Sequence, residues 1–481
     1  MLPGNRSSIQ GDNHVRKRST ALVAGIAVLG LLASACSEDD GGSAPATEAP
    51  AATEAPAGSE APSTEAPAGE LPVLQATLDA GLEYTGGTAG AASGDPIVIG
   101  YVNQEEGTPS WPESTLGIDA GVWLLNNYLG GVGGRPVEIV KCFVTKEEDG
   151  QKCGQEMLAN DAIQAVITGA YVVGNQPLLD TLKDKKPVFV ANPLTNPEFF
   201  STDSFAFTPG VPGVIGGLNI FAGKYLPEIE GKEIKKAAVV YNDNAAGIAA
   251  FEGFTKPTLT ALGIEVTGVM VADAAGATEM ATAIQSAGAD SADVFIPLVQ
   301  VQGCIGVYEA LKTLEIETSV VTTGLCFGVP MQEHLAATGA PGKLPDGWYF
   351  GGYGFAYEIP GDPYVDAYID AVFAFAKIEG IENPNYTGFA GPTFGALMTV
   401  VKFMNGGATD GDGLRAAARA FAGPQWLVSG SMACGANPTF PGLCGGSIGF
   451  QQQQGDKYVS IMDGYNGKAI DAGAELAALA G

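Results

Sequence analysis

Residues 96–102 have the sequence Pro-Ile-Val-Ile-Gly-Tyr-Val, a compact apolar run rich in β-branched side chains. Such a run predicts a strand buried on both faces, as in a parallel sheet covered by helices. Apolar residues then recur at helical spacing within residues 118–129 and predict an amphipathic helix. The glycines of residues 130–134 end this helix, and residues 137–140 are a second apolar run. The order of strand, helix and strand indicates an α/β fold.

The alternation of strand and helix continues in two series. The first series has apolar runs at residues 96–102, 137–140, 165–168 and 187–190, and the second has runs at residues 237–241, 265–269, 294–298 and 320–323. We therefore predict an α/β protein with two doubly wound parallel-sheet lobes. Ligands of open parallel sheets bind beyond the carboxyl ends of the strands, so two such lobes that face each other form a binding cleft.

Composition excludes several classes of function. The chain has 481 residues and a net charge of −29. A surface this acidic repels phosphate, so we expect no nucleic acid as a partner. His14 and His334 are the two histidines of the sequence, which leaves little material for histidine-based catalysis or metal binding. We expect a protein without cofactor or metal that is not an enzyme.

Residues 1–35 have the layout of a secretory signal peptide. Basic residues at positions 16–18 precede an apolar run that is shorter than the roughly 20 residues needed to span a bilayer. Small residues at 33–35 then precede Cys36, which resembles the acylated cysteine of a bacterial lipoprotein. The same small residues also fit ordinary secretion, with Cys36 as the unmodified mature N-terminus.

Residues 36–94 are predicted to be a linker rich in Ala, Pro, Glu and Thr, with one short helix within residues 71–94. The motif Thr-Glu-Ala-Pro recurs at positions 47, 53 and 64. Proline blocks regular structure and the glutamates repel one another, so this composition is typical of an extended tether. We expect it to join a lipid anchor to a body that starts at Asp95, on the extracellular face of a bacterial cell membrane or in the periplasm.

Short motifs follow the first strand in a fixed order. They are Gly121, residues 133–138 (Gly-Gly-Arg-Pro-Val-Glu), Gln176-Pro177, Pro187-Val188, Thr195-Asn196-Pro197-Glu198, residues 238–241 (Ala-Val-Val-Tyr) and Gly247. With these motifs the chain, from Asp95 to the C-terminus, resembles type I periplasmic solute-binding proteins of the leucine/isoleucine/valine-binding kind. Such proteins feed ABC importers, so the resemblance implies a small-molecule ligand and an ABC permease in the membrane as partners.

The family fold implies that three segments cross between the lobes. We place these crossings, which form the hinge, near Thr208, Gly352 and Ser429. The N-terminal lobe then comprises residues 95–208 and 352–429, and the C-terminal lobe comprises residues 209–351 and 430–481.

The resemblance also implies which loops hold the ligand. They are residues 103–111, 170–174, 192–195, 242–246, 298–302 and 324–327. The candidate ligand-binding residues in or next to these loops are Trp111, Tyr171, Val172, Asn192, Thr195, Asn242 and Leu325.

Specific roles follow for some of these candidates. Trp111 and Tyr171 are expected as aromatic walls, Thr195 as a hydroxyl donor, and the amides of Tyr171 and Val172 as donors to a carboxylate. Two alternatives stay open, because Trp111 also fits packing against the helix near Leu116 and Thr195 also fits a cap of the following turn.

This chain departs from the amino-acid-binding members of the family at the cleft. Their serines are replaced by Tyr171-Val172-Val173, their tyrosine before Gly247 is Ala246, and no carboxylate stands near Leu325 to pair with an ammonium group. Burying an unpaired ammonium is costly. We therefore expect an extracellular solute-binding protein for a small organic solute (amino-acid-like, an amide or a small acid). It should prefer an apolar or aromatic acid or amide over free leucine. If an ammonium group is bound after all, Glu105 or Glu106 is the expected partner.

Seven cysteines leave six that can pair once Cys36 is set aside. We prefer the three nearest-neighbour pairs, because each joins the ends of one local unit. These pairs are Cys142 with Cys153, Cys304 with Cys326, and Cys434 with Cys444.

Two other functions remain as alternatives. A ligand sensor that passes lobe closure to a membrane partner uses the same fold. An extracellular hydrolase is suggested by residues 445–449 (Gly-Gly-Ser-Ile-Gly), which match the G-x-S-x-G motif. That motif needs a strand before the serine, a helix after it and a histidine downstream, and here the nearest histidine, His334, lies upstream.

Overall fold

The computed structural model describes residues 73–107, 109–340, 344–352, 362–428, 430, 432–462 and 470–480. They belong to one compact unit that extends from Gly69 to Gly481. The signal peptide, Cys36 and most of the predicted linker lie outside the described residues. No helix within these ranges has both the length and the apolar character needed to cross a membrane.

The first sheet contains five strands in the order β2-β1-β3-β4-β5, and every neighbouring pair is parallel. The strands are β1 (Ile97–Asn103), β2 (Val137–Phe143), β3 (Ile163–Thr168), β4 (Val188–Val190) and β5 (Ser204–Ala206). In β1 every residue after Ile97 is buried, as expected for a strand covered on both faces.

The second sheet has eight strands in the order β12-β11-β10-β9-β8-β6-β7, with β13 paired to β11. The strands are β6 (Lys236–Asn242), β7 (Glu265–Val271), β8 (Val294–Leu298), β9 (Ser319–Thr323), β10 (Tyr349–Gly352), β11 (Ser447–Gln454), β12 (Lys457–Met462) and β13 (Ile470–Asp471). Strands β6 to β10 pair in parallel, whereas β11 pairs antiparallel with β10, β12 and β13.

Sixteen α-helices surround the two sheets in the described ranges. They are α1 (Gln75–Thr85), α2 (Glu113–Tyr128), α3 (Glu147–Ala159), α4 (Asn175–Leu182), α5 (Asn196–Phe200), α6 (Gly210–Ile220), α7 (Leu226–Glu230), α8 (Ala245–Ile248), α9 (Lys256–Ala261), α10 (Ala277–Ser286), α11 (Val301–Leu314), α12 (Val329–Thr338), α13 (Pro363–Glu379), α14 (Ala390–Asn405), α15 (Gly411–Ala420) and α16 (Ala472–Ala480). Short π-helical segments join α6 to α7 and α8 to α9.

The predicted fold class is confirmed. All eight apolar runs of the sequence coincide with strands, four in each sheet, and helices follow them in the expected order. The strands that the sequence did not predict are β5 and β10–β13. The first sheet is built from residues 97–206, and the second is built from residues 236–471.

The folded body starts upstream of Asp95. Helix α1 is the short helix expected within residues 71–94, and it packs against α13 and α14. Val73, Leu78 and Tyr84 are buried there, and the Tyr84 hydroxyl accepts a hydrogen bond of 2.9 Å from the Trp426 backbone amide. Residues that the sequence assigned to the linker therefore contribute to the core.

The three nearest-neighbour disulfides are confirmed. Cys142 bonds Cys153, Cys304 bonds Cys326, and Cys434 bonds Cys444. The first links β2 to α3, and the second links α11 to the short 3-10 turn Gly324–Phe327. The third closes a loop that packs on the first sheet, where the Cys444 amide donates to the Ala206 carbonyl oxygen at 2.8 Å.

The G-x-S-x-G match does not have the local structure of a nucleophile elbow. Ser447 is the first residue of β11, so a strand follows the serine where that motif needs a helix.

Of the predicted crossing points, Thr208 lies between the two sheets along the chain, whereas Gly352 lies at the end of a strand of the second sheet. Thr208 follows β5 and is fully buried, and its hydroxyl donates to the Ala191 carbonyl oxygen at 3.1 Å. Gly352 is the last residue of β10. Ser429 lies outside the described residues, so the hinge and the lobe bounds stay a prediction.

Candidate functional site

A cavity of about 150 Å³ lies where the ends of the two sheets meet. Its walls come from both sides: Leu194 follows β4 of the first sheet, whereas Leu325 follows β9 of the second. The remaining lining residues are Gly210, Val211, Val214 and Ile215 of α6, Thr323, Gly324, Phe350, Gly351, Gly352, Gly388, Phe389, Gln451 and Tyr458. The cavity therefore opens beyond strand ends, as expected for a ligand site in sheets of this kind.

The lining is apolar. Among the described lining residues none carries a charge, and the polar side chains are those of Thr323, Gln451 and Tyr458. Charged groups lose most of their hydration on burial and need a partner of opposite charge. This cavity therefore suits a molecule with an apolar body and few polar groups.

An apolar cluster spans the two sides of the cavity. Trp111 and Phe389 meet edge to face with ring centroids 5.8 Å apart, and Ala170 is buried with them. Val172, Leu194 and Leu325 pack against this group. Trp111 is only 7% exposed, so it supports the wall from behind, whereas Phe389 and Leu325 line the cavity itself.

Tyr171 lies in the interior of the first sheet's core and not at the cavity. Its side chain is fully buried with residues such as Leu178 and Phe199. The expectation that Tyr171 forms an aromatic wall is therefore not supported by this geometry. The Val172 amide, expected as a carboxylate donor, donates to Gln104 Oε1 at 3.1 Å.

Thr195 has the capping position that the sequence left open. It precedes α5 and forms a capping box with Glu198. The Glu198 carboxylate accepts hydrogen bonds from the backbone amides of Leu194 at 2.8 Å and Thr195 at 3.0 Å. Glu198 is fully buried, and this burial raises its pKa to about 7 against the effect of the two amides. The loop is thus fixed so that Leu194, rather than Thr195, reaches the cavity.

Asn192 and Asn242 act as internal supports of the loops. Asn192 is fully buried and donates to Thr393 Oγ1 at 3.1 Å and to the Phe389 carbonyl oxygen at 3.4 Å. Asn242 Oδ1 accepts the Gln300 amide at 2.8 Å, which links the loop after β6 to the loop after β8. Neither side chain lines the cavity.

Leu325 is the candidate residue that the structure places directly in the cavity wall. Its own amide donates to Thr323 Oγ1 at 3.3 Å, and Cys326 follows it at once. Cys326 and its partner Cys304 are both fully buried, so the disulfide fixes this turn to α11 from behind. The position of Leu325 therefore depends on a covalent bond within the second sheet's loops.

The two fallback carboxylates do not reach the cavity. Glu105 accepts hydrogen bonds from Asn103 Nδ2 at 2.8 Å and from the Thr115 hydroxyl, and Glu106 is exposed. Half-buried Glu113 was missed by the sequence analysis and stands behind Gly388. Burial raises the pKa of Glu113 to about 7, with a smaller contribution from the negative charge of Glu105. Hydrogen bonds from backbone amides, including that of Phe389, partly offset this rise.

Sequence reasoning also missed the walls formed by α6, Phe350, Phe389, Gln451 and Tyr458. The predicted crossing points at Thr208 and Gly352 were the available signal, because Gly352 lines the cavity and Gly210 lines it two residues after Thr208. The site therefore includes residues at or near these predicted crossing points and is not confined to the loops that the family resemblance implied.

Comparison with known proteins gives one family. A sequence profile of the family described as "Periplasmic binding protein" matches residues 96–431. Among curated proteins, none matches the chain in sequence.

Several solved structures share the fold. A solute-binding protein of an R. palustris ABC transporter in complex with 4-hydroxybenzoate has 17% identity and a TM-score of 0.58, over 76% of this chain and 95% of that chain. A fatty acid ABC transporter substrate-binding protein from Thermomonospora curvata has 15% identity and a TM-score of 0.59, over 81% of this chain and 96% of that chain. A leucine-binding protein from Thermotoga maritima has 13% identity and a TM-score of 0.55, over 76% and 97%.

The Cys304–Cys326 bond is expected to order the Leu325 turn. Replacing both cysteines by alanine should raise amide hydrogen exchange within residues 324–327 by about tenfold or more, because the turn loses its anchor and opens locally. Removing Cys142 and Cys153 in the same way is the matched control. Both double variants should lose about 2–4 kcal/mol of unfolding free energy. Unchanged exchange at residues 324–327 in the first variant would contradict the anchoring role.

Burial of Glu198 predicts a pH dependence of stability. A carboxyl whose pKa is about 7 when folded and lower when unfolded stabilises the fold at low pH, and this contribution disappears as the pH rises through 7. Between pH 5 and pH 8 Glu198 should therefore lower the unfolding free energy by about 2 kcal/mol. Urea unfolding of Glu198→Gln should show a correspondingly flatter pH profile, and the exposed Glu106→Gln should not. An identical slope in Glu198→Gln and the wild type would show that Glu198 does not titrate in this range.

Proposed function

We infer the function from one premise, namely that the chain belongs to the periplasmic binding protein family. We propose that it is an extracellular solute-binding protein, not an enzyme, that captures a small organic acid with an apolar or aromatic body. Its partner is then an ABC permease in the membrane, to which it delivers the solute.

The observation that carries this proposal is the uncharged cavity between the sheets. Apolar residues from both sides, such as Leu194, Leu325 and Phe389, line it. No described carboxylate lines it: Glu105 and Glu106 point to other partners or to solvent, and Glu113 lies behind Gly388. A free amino acid would bury its ammonium group there without a counter-charge, which costs free energy that an acid or amide without an amine avoids.

A carboxylate has possible donors in the same cavity. Gly210 and Val211 form the first turn of α6 and line the cavity. The amides at a helix N-terminus lack intrahelical acceptors, and the helix dipole favours negative charge there. We propose that the acid's carboxylate lies at this turn while its apolar body contacts Leu325 and Phe389.

The solved relatives support this class of ligand. Similar structures have bound 4-hydroxybenzoate or benzoate, and another is described as a fatty acid transporter's binding protein. Leucine-binding relatives share the fold to a similar extent, so the choice between acid and amino acid depends on the residues of this cavity.

We also propose where the protein is attached and how it closes on its solute. Signal peptide 1–35 would direct secretion and be removed. A lipid on Cys36 and the linker would then hold the body at the outer face of the cell membrane. The lobes, 95–208 with 352–429 and 209–351 with 430–481, would close on the solute by rotation at the crossings near Thr208, Gly352 and Ser429. Closure of this kind is the usual response of two-lobed binding proteins to ligand.

Calorimetry with benzoate, 4-hydroxybenzoate and L-leucine tests the ligand class. We expect at least one aromatic acid to bind with a Kd near 1 μM, about −8 kcal/mol. Leucine should bind at least about tenfold more weakly, because its ammonium would be buried without a partner.

Two leucine variants provide the control for position. Leu325→Ala should weaken binding of the acid by about tenfold or more, because it removes apolar contact from the wall. The same change at Leu74, which is 65% exposed, should leave the Kd unchanged. Tighter binding of leucine than of either acid would contradict the ligand class, and equal affinities of the two variants would contradict the site.

A further inference from the structure

Gln451 is a largely buried residue whose side-chain amide faces the cavity and has no partner in the described part of the chain. It lies on β11, is only 3% exposed and lines the cavity. Its backbone pairs within the sheet, but its side chain makes no hydrogen bond to any residue in the described ranges. The neighbouring glutamines differ: Gln452 Nε2 donates to the Gly347 carbonyl oxygen at 3.0 Å, and Gln453 Nε2 donates to those of Gly455 and Lys457 at 2.9 and 3.0 Å.

An amide in this position is unfavourable unless something bonds to it. Nearly all buried polar groups of folded proteins have a hydrogen-bond partner, and an unpaired group bears the full cost of its lost hydration. Gln453, which is equally buried at 2% exposure, obeys this rule within the protein. Gln451 faces a cavity instead, so its partner has to be water or a molecule bound there.

We propose that Gln451 is a ligand-binding residue that hydrogen-bonds a neutral polar group of the solute, such as a ring hydroxyl. The side-chain amide is uncharged and both donates and accepts, which matches a hydroxyl better than it matches a charged group. This inference rests on the proposed function. It adds that a residue of the second sheet recognises a polar group at the end of the solute that faces this sheet.

The surroundings of Gln451 fit an aromatic solute. Phe350 stands opposite Gln451 in the register of β10 and β11, and Tyr458 of β12 lines the same cavity. The two rings are 6.5 Å apart. A ring that enters from the side of Leu325 and Phe389 would meet aromatic surface and then the Gln451 amide.

Two leucine substitutions on β11 separate ligand binding from a structural role. Leucine has a volume similar to that of glutamine and no polar atoms. Gln451→Leu should keep or raise the thermal stability of the unliganded protein, because it removes an unpaired amide. Gln453→Leu is the matched control and should lower it, because it leaves two carbonyl groups without their donor.

Titration with 4-hydroxybenzoate and benzoate tests the recognised group. The wild-type protein should bind 4-hydroxybenzoate about tenfold more tightly than benzoate, since one neutral hydrogen bond has that effect. Gln451→Leu should abolish this preference while still binding benzoate, and Gln453→Leu should retain it.

Three results would overturn the proposal. They are a preference for 4-hydroxybenzoate that survives in Gln451→Leu, a wild type that binds both acids equally, and a loss of stability in Gln451→Leu as large as in Gln453→Leu. In each case the proposed function stands if the wild type binds either acid. A wild type that binds neither acid overturns the proposed function itself, and this inference with it.

Discussion

Leu325 packs against the Trp111–Phe389 pair, and this apolar contact across the two sheets is the constraint on which the cavity depends. Leu325 belongs to a loop of the second sheet, whereas Trp111 and Phe389 are held by the first sheet and its covering helix. A covalent bond on one side and a hydrogen bond on the other hold the contacting residues in place. The Cys304–Cys326 bond fixes Leu325, and Asn192 holds the carbonyl oxygen of Phe389. A cavity with walls from both sides can respond to a ligand by changing the relation between the sheets.

The central strands were predictable from the sequence because burial on both faces requires continuous apolar runs. Residues 97–103 and 294–298 show this pattern clearly. Strands β5 (Ser-Phe-Ala) and β10 (Tyr-Phe-Gly-Gly) were missed because they lack β-branched residues, whereas the equally short β4 has two valines. Strand β11 contains the run 451–454 of four glutamines, whose side chains give no apolar signal. Its place in the sheet depends on pairing with β10, which is distant in the sequence, and with β12, which follows directly. Local sequence does not reveal these pairings.

The candidate site was predictable in location but less so in its residues. Leu325 lines the cavity, and Trp111 and Val172 belong to the cluster behind it. The polar candidates satisfy the backbone instead: Asn192 and Asn242 bond loop atoms, and Thr195 begins α5. Short polar side chains at strand ends serve as caps or as ligand contacts with the same residue types, so position alone does not distinguish the two. The lining by α6, Phe350 and Gln451 depends on tertiary packing.

A crystal structure of the protein grown with 4-hydroxybenzoate would test the central claim most directly, because it locates the solute without assuming which residues bind it. We predict ring density in the cavity between Leu194, Leu325 and Phe389, with the carboxylate at the first turn of α6. Density for the acid at another surface, such as the groove between α4 and α5 that is lined by Gln176 and Phe200, with the cavity occupied only by water, would contradict it.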